Sequence, residues 1–87
     1  MTFDILWTPT AKKHLQYWQK KNIKQVKKIR LLCESIKKDP TEDIGKPERL
    51  KVKGENIWSR RINQEHRLVY KISEDKKVFI VQAKYHY

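Results

Sequence analysis

Glu48, Arg67 and His86 supply a carboxylate, a guanidinium and an imidazole, and Lys84 with one of Arg60 or Arg61 adds further positive charge. These residue types make up a minimum set for cleaving RNA without a metal ion. A base takes the proton of the ribose 2′-hydroxyl, cations hold the charge growing on the phosphorane, and an acid protonates the departing 5′-oxygen. General acid–base help of this kind is worth roughly 10²–10⁴ in rate. Composition alone makes the set unremarkable, because many basic sheets carry an arginine and a histidine. Its value depends on which elements hold these residues and whether they share a face.

Beyond Gly45 the apolar pattern has period two. Leu50 to Val52 reads as a short strand and Lys53-Gly54-Glu55-Asn56 as a turn. Ile57 to Asn63 and His66 to Ser73 read as strands joined through Gln64 and Glu65, and Lys77 to about Tyr85 as the last. In the fourth strand Leu68, Tyr70 and Ile72 are expected to face a core, which turns Arg67 to the opposite side. Phe79, Val81, Ala83 and Tyr85 read as the core set of the last strand, and their alternates Gln82, Lys84 and His86 then join Arg67. Arg60 and Arg61 must point to opposite faces. Parity does not choose between them, because Ile57 and Ile62 fall on different sides. Glu48 arrives from the loop before the second strand as the nearby carboxylate.

Upstream, Phe3 to Trp7 is a short apolar strand. Thr8-Pro9 opens a helix, with Thr8 as N-cap and Pro9 where its missing N–H costs little. Ala11, His14, Leu15 and Trp18 form the buried stripe, which makes His14 a helix-packing residue. Asn22 with Gln25 resembles a capping box and starts a second helix, whose stripe is Ile23, Val26, Ile29, Leu32, Cys33 and Ile36. Asp39-Pro40 ends it. The short junction demands a tight antiparallel helix pair. The fold class is therefore α+β: one domain, residues 1–87, with two N-terminal helices packed on a twisted antiparallel sheet. His66 has core parity and reads as structural, and Trp7, Trp18 and Trp58 read as core anchors.

The 87 residues carry 21 Lys and Arg against 10 acidic residues, a net charge of +11. So positive a body is drawn to polyanions, of which nucleic acid is the commonest in a cell. An acidic protein segment suits the same field. One cysteine, Cys33, and three scattered histidines offer no metal-ligand spacing, so no cofactor is expected. Neither a signal peptide nor a membrane span is expected, and a single cysteine suits a reducing cytosol. The lysine-rich helix faces are read as phosphate contacts to ribosomal RNA.

The segments GKPERLK at 45–51, WSRRI at 58–62, EHRLVY at 65–70 and KYHY at 84–87 closely resemble the YoeB/Txe toxins, a branch of the RelE-like ribonucleases. The resemblance runs from ILW at 5–7, through YWQ at 17–19, to the last residue. It implies a microbial-RNase-like fold and metal-independent cleavage of messenger RNA in the A site of the 70S ribosome. It implies inhibition by a YefM- or Axe-like antitoxin, allows a homodimer, and leaves operator DNA to the antitoxin. Carried over by position, Glu48 matches the general base, His86 the general acid, and Arg61 and Arg67 the phosphate-binding arginines. Lys51 matches a basic residue of the same cleft, and Tyr87 a terminal tyrosine that contacts RNA. Lys84 stands where some relatives have arginine.

Two other classes compete. A non-catalytic ribosome- or RNA-binding inhibitor would stall translation by occupancy and tolerate loss of His86. A helix-turn-helix DNA-binding regulator fits poorly, because the helix junction is too short and the sheet is unexplained.

Overall fold

The computed structural model describes residues 2–85; Met1, His86 and Tyr87 lie outside them. The first strand, β1 (Asp4–Trp7), passes directly into α1 (Pro9–Lys21). The Thr8 hydroxyl accepts from the Ala11 amide at 3.3 Å and donates to the Ile80 carbonyl at 2.8 Å, so one side chain caps the helix and ties it to the sheet. Asn22 then serves two helices. Its amide donates to the Trp18 carbonyl at 2.8 Å and closes α1, while its side-chain oxygen accepts from Lys24 N–H at 3.1 Å and opens α2 (Ile23–Lys38). A one-residue junction is shorter than the turn of a helix-turn-helix.

Four further strands follow: β2 (Glu48–Arg49), β3 (Ile57–Arg61), β4 (Arg67–Ile72) and β5 (Lys77–Gln82). They form one sheet in the order β1-β5-β4-β3-β2. The sheet is mixed where alternation predicts antiparallel pairing throughout. Its β2 to β5 part is antiparallel, but β1 lies parallel to β5, with Asp4 opposite Lys77 and Trp7 opposite Ile80. The helix pair between β1 and the rest of the sheet is the long connection that such an edge pairing needs. β2 also lies earlier than the apolar run 50–52 predicts, because the ladder to β3 is made at Glu48 and Arg49.

Both helices pack on one sheet face. Ala11, Trp18, Val26, Ile29, Leu32 and Ile36 meet Leu68, Tyr70, Val78, Ile80 and Ala83 in the core. Ile23, assigned to the buried stripe, is 57% exposed, and Ser35 is buried instead. The expected core set of the last strand needs correction as well: Val78 and Ile80 are buried, whereas Val81 and Tyr85 are exposed and Phe79 is only partly covered. A register shift explains the pattern from Val78 to Ala83. Tyr70 lies opposite Ile80 but Val69 opposite Gln82, so Val81 is an extra residue in β5. The bulge reverses parity, which is why Ala83 is buried as expected while Phe79 and Val81 are not.

Arg60 is wholly buried on the helix side. Its guanidinium donates to Tyr70 Oη at 3.0 Å, to Ser35 Oγ, and to the carbonyls of Ile44 at 3.0 Å, Asp39 at 2.7 Å and Glu42 at 2.7 Å. The Tyr70 hydroxyl in turn donates to the Pro40 carbonyl at 2.6 Å. One side chain therefore gathers the end of α2 and the loop that leads into β2. At the loop's exit Gly45 has φ +82°, and a Cβ there would meet Leu32 Cδ2 at 2.6 Å and Arg60 Cβ at 3.2 Å, so only glycine fits. Removing the guanidinium would orphan the hydroxyl and carbonyls it satisfies. Arg60→Leu is expected to lower stability by about 3–5 kcal/mol, and Arg60→Lys to recover little of it, because an ammonium cannot reproduce the fork. Urea denaturation measures this; a loss below about 1 kcal/mol would contradict the anchoring role.

Candidate active site

The sheet face away from the helices is organised by register. Glu48 lies opposite Ser59, Ser59 opposite Val69, and Val69 opposite Gln82, so these four form one row across it. Two residues further along, Arg61 lies opposite Arg67. Directly paired residues share a face. Arg61 therefore belongs with Arg67, and Arg60, one residue earlier, belongs to the core. The choice that parity left open is made by the guanidinium pocket on the helix side.

Glu48 is diagonal to Arg61, an offset of about 7–8 Å between sites on neighbouring strands. The loop anchored by Arg60 holds this offset, and Arg61 N–H donates to the Gly45 carbonyl at 2.7 Å. Both Glu48 and Arg61 are exposed, and neither side chain pairs with another described residue. Arg67 is half-buried. Its Nη1 donates to the carbonyls of Asn63 at 2.8 Å, His66 at 3.2 Å and Gln64 at 3.3 Å, which locks the stem against the β3–β4 turn. The same turn is tightened by Asn63 Oδ1, which accepts from the Glu65 and His66 amides. The remaining guanidinium N–H groups of Arg67 have no acceptor among the described residues. Two like charges directly across a ladder cost stability. Together they present two positive charges beside one carboxylate, a pattern that suits a phosphodiester, which gains a second negative charge as a phosphorane forms.

The other sequence-derived residues divide. Lys51 follows β2 in the segment toward the 52–56 turn and lines a shallow cleft with Arg49 and Lys53. Lys84 does not share Arg67's face as alternation predicts. It sits beside α1, its ammonium 3.5 Å from the Tyr17 ring centroid. His86 and Tyr87, the expected acid and RNA contact, lie outside the described residues.

Sequence reasoning missed what His14 and His66 do. Past the bulge, residues 83–85 are held mostly by side chains. His14 Nδ1 accepts from the Ala83 amide at 3.0 Å, and Trp18 Nε1 donates to the Ala83 carbonyl at 2.7 Å. His66 Nδ1 accepts from the Tyr85 amide at 2.7 Å, and the Arg67 amide donates to the Tyr85 carbonyl at 3.1 Å. An accepting Nδ1 is unprotonated, so each imidazole is read as the neutral Nε2–H tautomer. Burial, and after it the nearby Lys84, hold the His14 pKa below its ordinary 6.5. Apolar spacing placed both histidines correctly against packed elements but carries no sign of a backbone partner. Burial also pushes the Cys33 thiol up to about 11, so it stays protonated and is no nucleophile at neutral pH. Among the described residues no three His, Cys, Asp or Glu gather closely enough to hold a metal ion, and no helix is long and apolar enough to cross a membrane.

Residues 7–87 match the family described as the YoeB-like toxin of bacterial type II toxin–antitoxin systems. Toxin YoeB of Escherichia coli strain K12 is 40% identical over 83 residues, covering 95% of this chain and 98% of its own. Among solved structures, the YoeB dimer from Staphylococcus aureus is similar at a TM-score of 0.88 and 44% identity, covering 98% of both chains. The YoeB chain of the heterotetrameric YoeB–YefM toxin–antitoxin complex from the same organism is similar at a TM-score of 0.84 and 43% identity, again covering 98% of both. Since the family match covers nearly the whole chain, this protein belongs to the YoeB-like toxins of bacterial type II toxin–antitoxin systems.

Proposed function

We propose that this toxin is a ribosome-dependent endoribonuclease that cuts messenger RNA in the A site by metal-independent acid–base chemistry. One observation carries the reading: on the open sheet face an unpaired carboxylate, Glu48, stands diagonal to Arg61, which in turn lies opposite Arg67. The arginines hold the non-bridging oxygens of the scissile phosphate and take up the charge of the phosphorane. Glu48 removes the 2′-hydroxyl proton, and the 2′-oxygen attacks phosphorus as the bond to the 5′-oxygen breaks. His86, two residues beyond Lys84, protonates that leaving oxygen. The products are a 2′,3′-cyclic phosphate and a 5′-hydroxyl, with the proton taken by Glu48 balanced by the one given by His86.

Lys51 and Tyr87 extend the contact to neighbouring nucleotides, Tyr87 by stacking. Lys84, turned onto Tyr17, serves RNA away from the scissile phosphate. The lysine-rich helices supply phosphate contacts to the 70S ribosome, supported by the net charge of +11. Action there places the protein in the cytoplasm. The Staphylococcus aureus relatives form a dimer and a complex with YefM. On that likeness the partners are a second copy of this chain and a YefM-like antitoxin, whose acidic segment suits this surface and folds on contact. Operator DNA is engaged only through that antitoxin.

In a reconstituted translation reaction, new mRNA 5′ ends mapped by primer extension should appear at A-site codons of ribosome-bound message only. Glu48→Gln should lower the single-turnover rate by about 10²–10⁴. Stalled translation with intact message would instead identify a non-catalytic ribosome-binding inhibitor. Arg61→Gln should lower the cleavage rate by about 10²–10³ while raising unfolding stability by up to about 1 kcal/mol, because it relieves the like-charge pair. A folded Arg61→Gln protein that cuts at the wild-type rate would remove that arginine from the site.

A further inference from the structure

Residues 83–85 lead into His86 and Tyr87, and their backbone is fixed by side chains of α1, by His66 before β4 and by a single β4 amide, that of Arg67. Four hydrogen bonds hold both the N–H and the C=O of Ala83 and of Tyr85. Two of the four need an unprotonated imidazole. The rings are also stacked into one cluster: His14 meets Tyr85 edge-on at 5.8 Å, and His66 meets Trp18 edge-on at 4.9 Å. Tyr85 itself is left-handed, φ +70°, a backbone state unfavourable for a tyrosine, and both its N–H and its C=O are held there.

We infer that His14 and His66, through their Nδ1 atoms, are positioning residues that clasp the Ala83–Tyr85 backbone and so fix the point from which the chain continues to His86. This rests on the ribonuclease reading above, in which His86 delivers the proton. The cost of misaiming a catalytic group is large: a displacement of about 1 Å can cost 10²-fold in rate. Neither imidazole touches substrate in this account, and each acts through the segment it holds.

The clasp carries a pH dependence of definite sign. Protonating Nδ1 turns an acceptor into a donor and sets N–H against N–H. The charged and titratable groups about the pair are Lys84 and Tyr17 beside His14, Glu65 and Arg67 beside His66, and Tyr85 between the rings. His14 is depressed in the folded state, first by burial and then by Lys84. Its contribution to stability is therefore complete above its ordinary 6.5 and is lost as the pH falls through the lower folded value.

The test uses the full chain labelled with nitrogen-15, with hydrogen exchange and cleavage of ribosome-bound message measured on the same samples. His14→Phe keeps a ring but removes the acceptor, whereas His14→Asn places an oxygen where Nδ1 sits; His66→Phe and His66→Asn form the second pair. The phenylalanine substitutions are expected to expose the Ala83 or Tyr85 amide to exchange and to lower kcat about tenfold to a hundredfold with KM unchanged. The asparagine substitutions should restore both, and His14→Asn should abolish the loss of Ala83 protection at acid pH. Amides that stay protected in the phenylalanine variants overturn the clasp, and lost protection with unchanged kcat overturns its positioning role. Should a phenylalanine variant fail to fold, the asparagine variants decide alone, since lost protection or rate in them contradicts the inference. A wild-type protein that leaves message uncut removes the ribonuclease reading, while amide protection still judges the clasp.

Discussion

The buried guanidinium of Arg60 governs how the two halves of this small fold meet. A charge taken fully out of water is tolerated only where its donors are satisfied. Here the acceptors are main-chain oxygens of residues 39, 42 and 44 together with two hydroxyls. Those carbonyls lie just past the C-terminus of α2, where the helix dipole favours a cation. The bonds thus compensate the buried charge and impose a path on a loop with no regular structure. That path brings Gly45 against Leu32 and delivers Glu48 to the sheet edge in a fixed register.

One residue along the same strand, the opposite choice is made. Arg61 stays in solvent and faces Arg67 across the ladder, an arrangement that the fold does not need and that costs stability. Consecutive arginines on β3 therefore do unlike work: the first anchors a loop and the second is left available to an anion. The strain of the pair is small beside the anchor, so the core can carry it. Helix α1 contributes at the other end, through His14, Trp18 and Tyr17, by holding the chain that leaves β5. Both ends of the candidate site thus depend on the helix-side packing, while Val69, in the middle of the open-face row, is itself buried.

Local chemistry made the helices legible in the sequence. Thr8-Pro9 and Asn22 are capping signals whose hydrogen bonds form within a few residues, and the β4 alternation that exposes Arg67 is equally local. Four features depend on groups distant in sequence and were not readable. The parallel placement of β1 beside β5 follows from sheet order, which no local pattern encodes. The bulge at Val81 reversed a parity that looks continuous in the apolar run, and so misplaced Phe79 and Val81. Arg60 could not be assigned to the core, because its acceptors lie 10 to 25 residues away in the chain. The shared face of Glu48, Arg61 and Arg67 was legible chiefly through the WSRR and EHR segments and their resemblance to the toxin family. The grip of His14 and His66 on backbone amides was not, since a histidine on an apolar stripe looks the same whether or not it accepts one.

In the proposed mechanism the message is cut by its own 2′-hydroxyl, between the carboxylate of Glu48 and a proton donor, across the arginine pair. End-group analysis of message cleaved on the ribosome tests this most directly. Attack by the ribose is expected to leave upstream fragments ending in a 2′,3′-cyclic phosphate and downstream fragments beginning with a 5′-hydroxyl. Upstream 3′-hydroxyl and downstream 5′-phosphate ends would mean attack by water rather than by the ribose, and would contradict it.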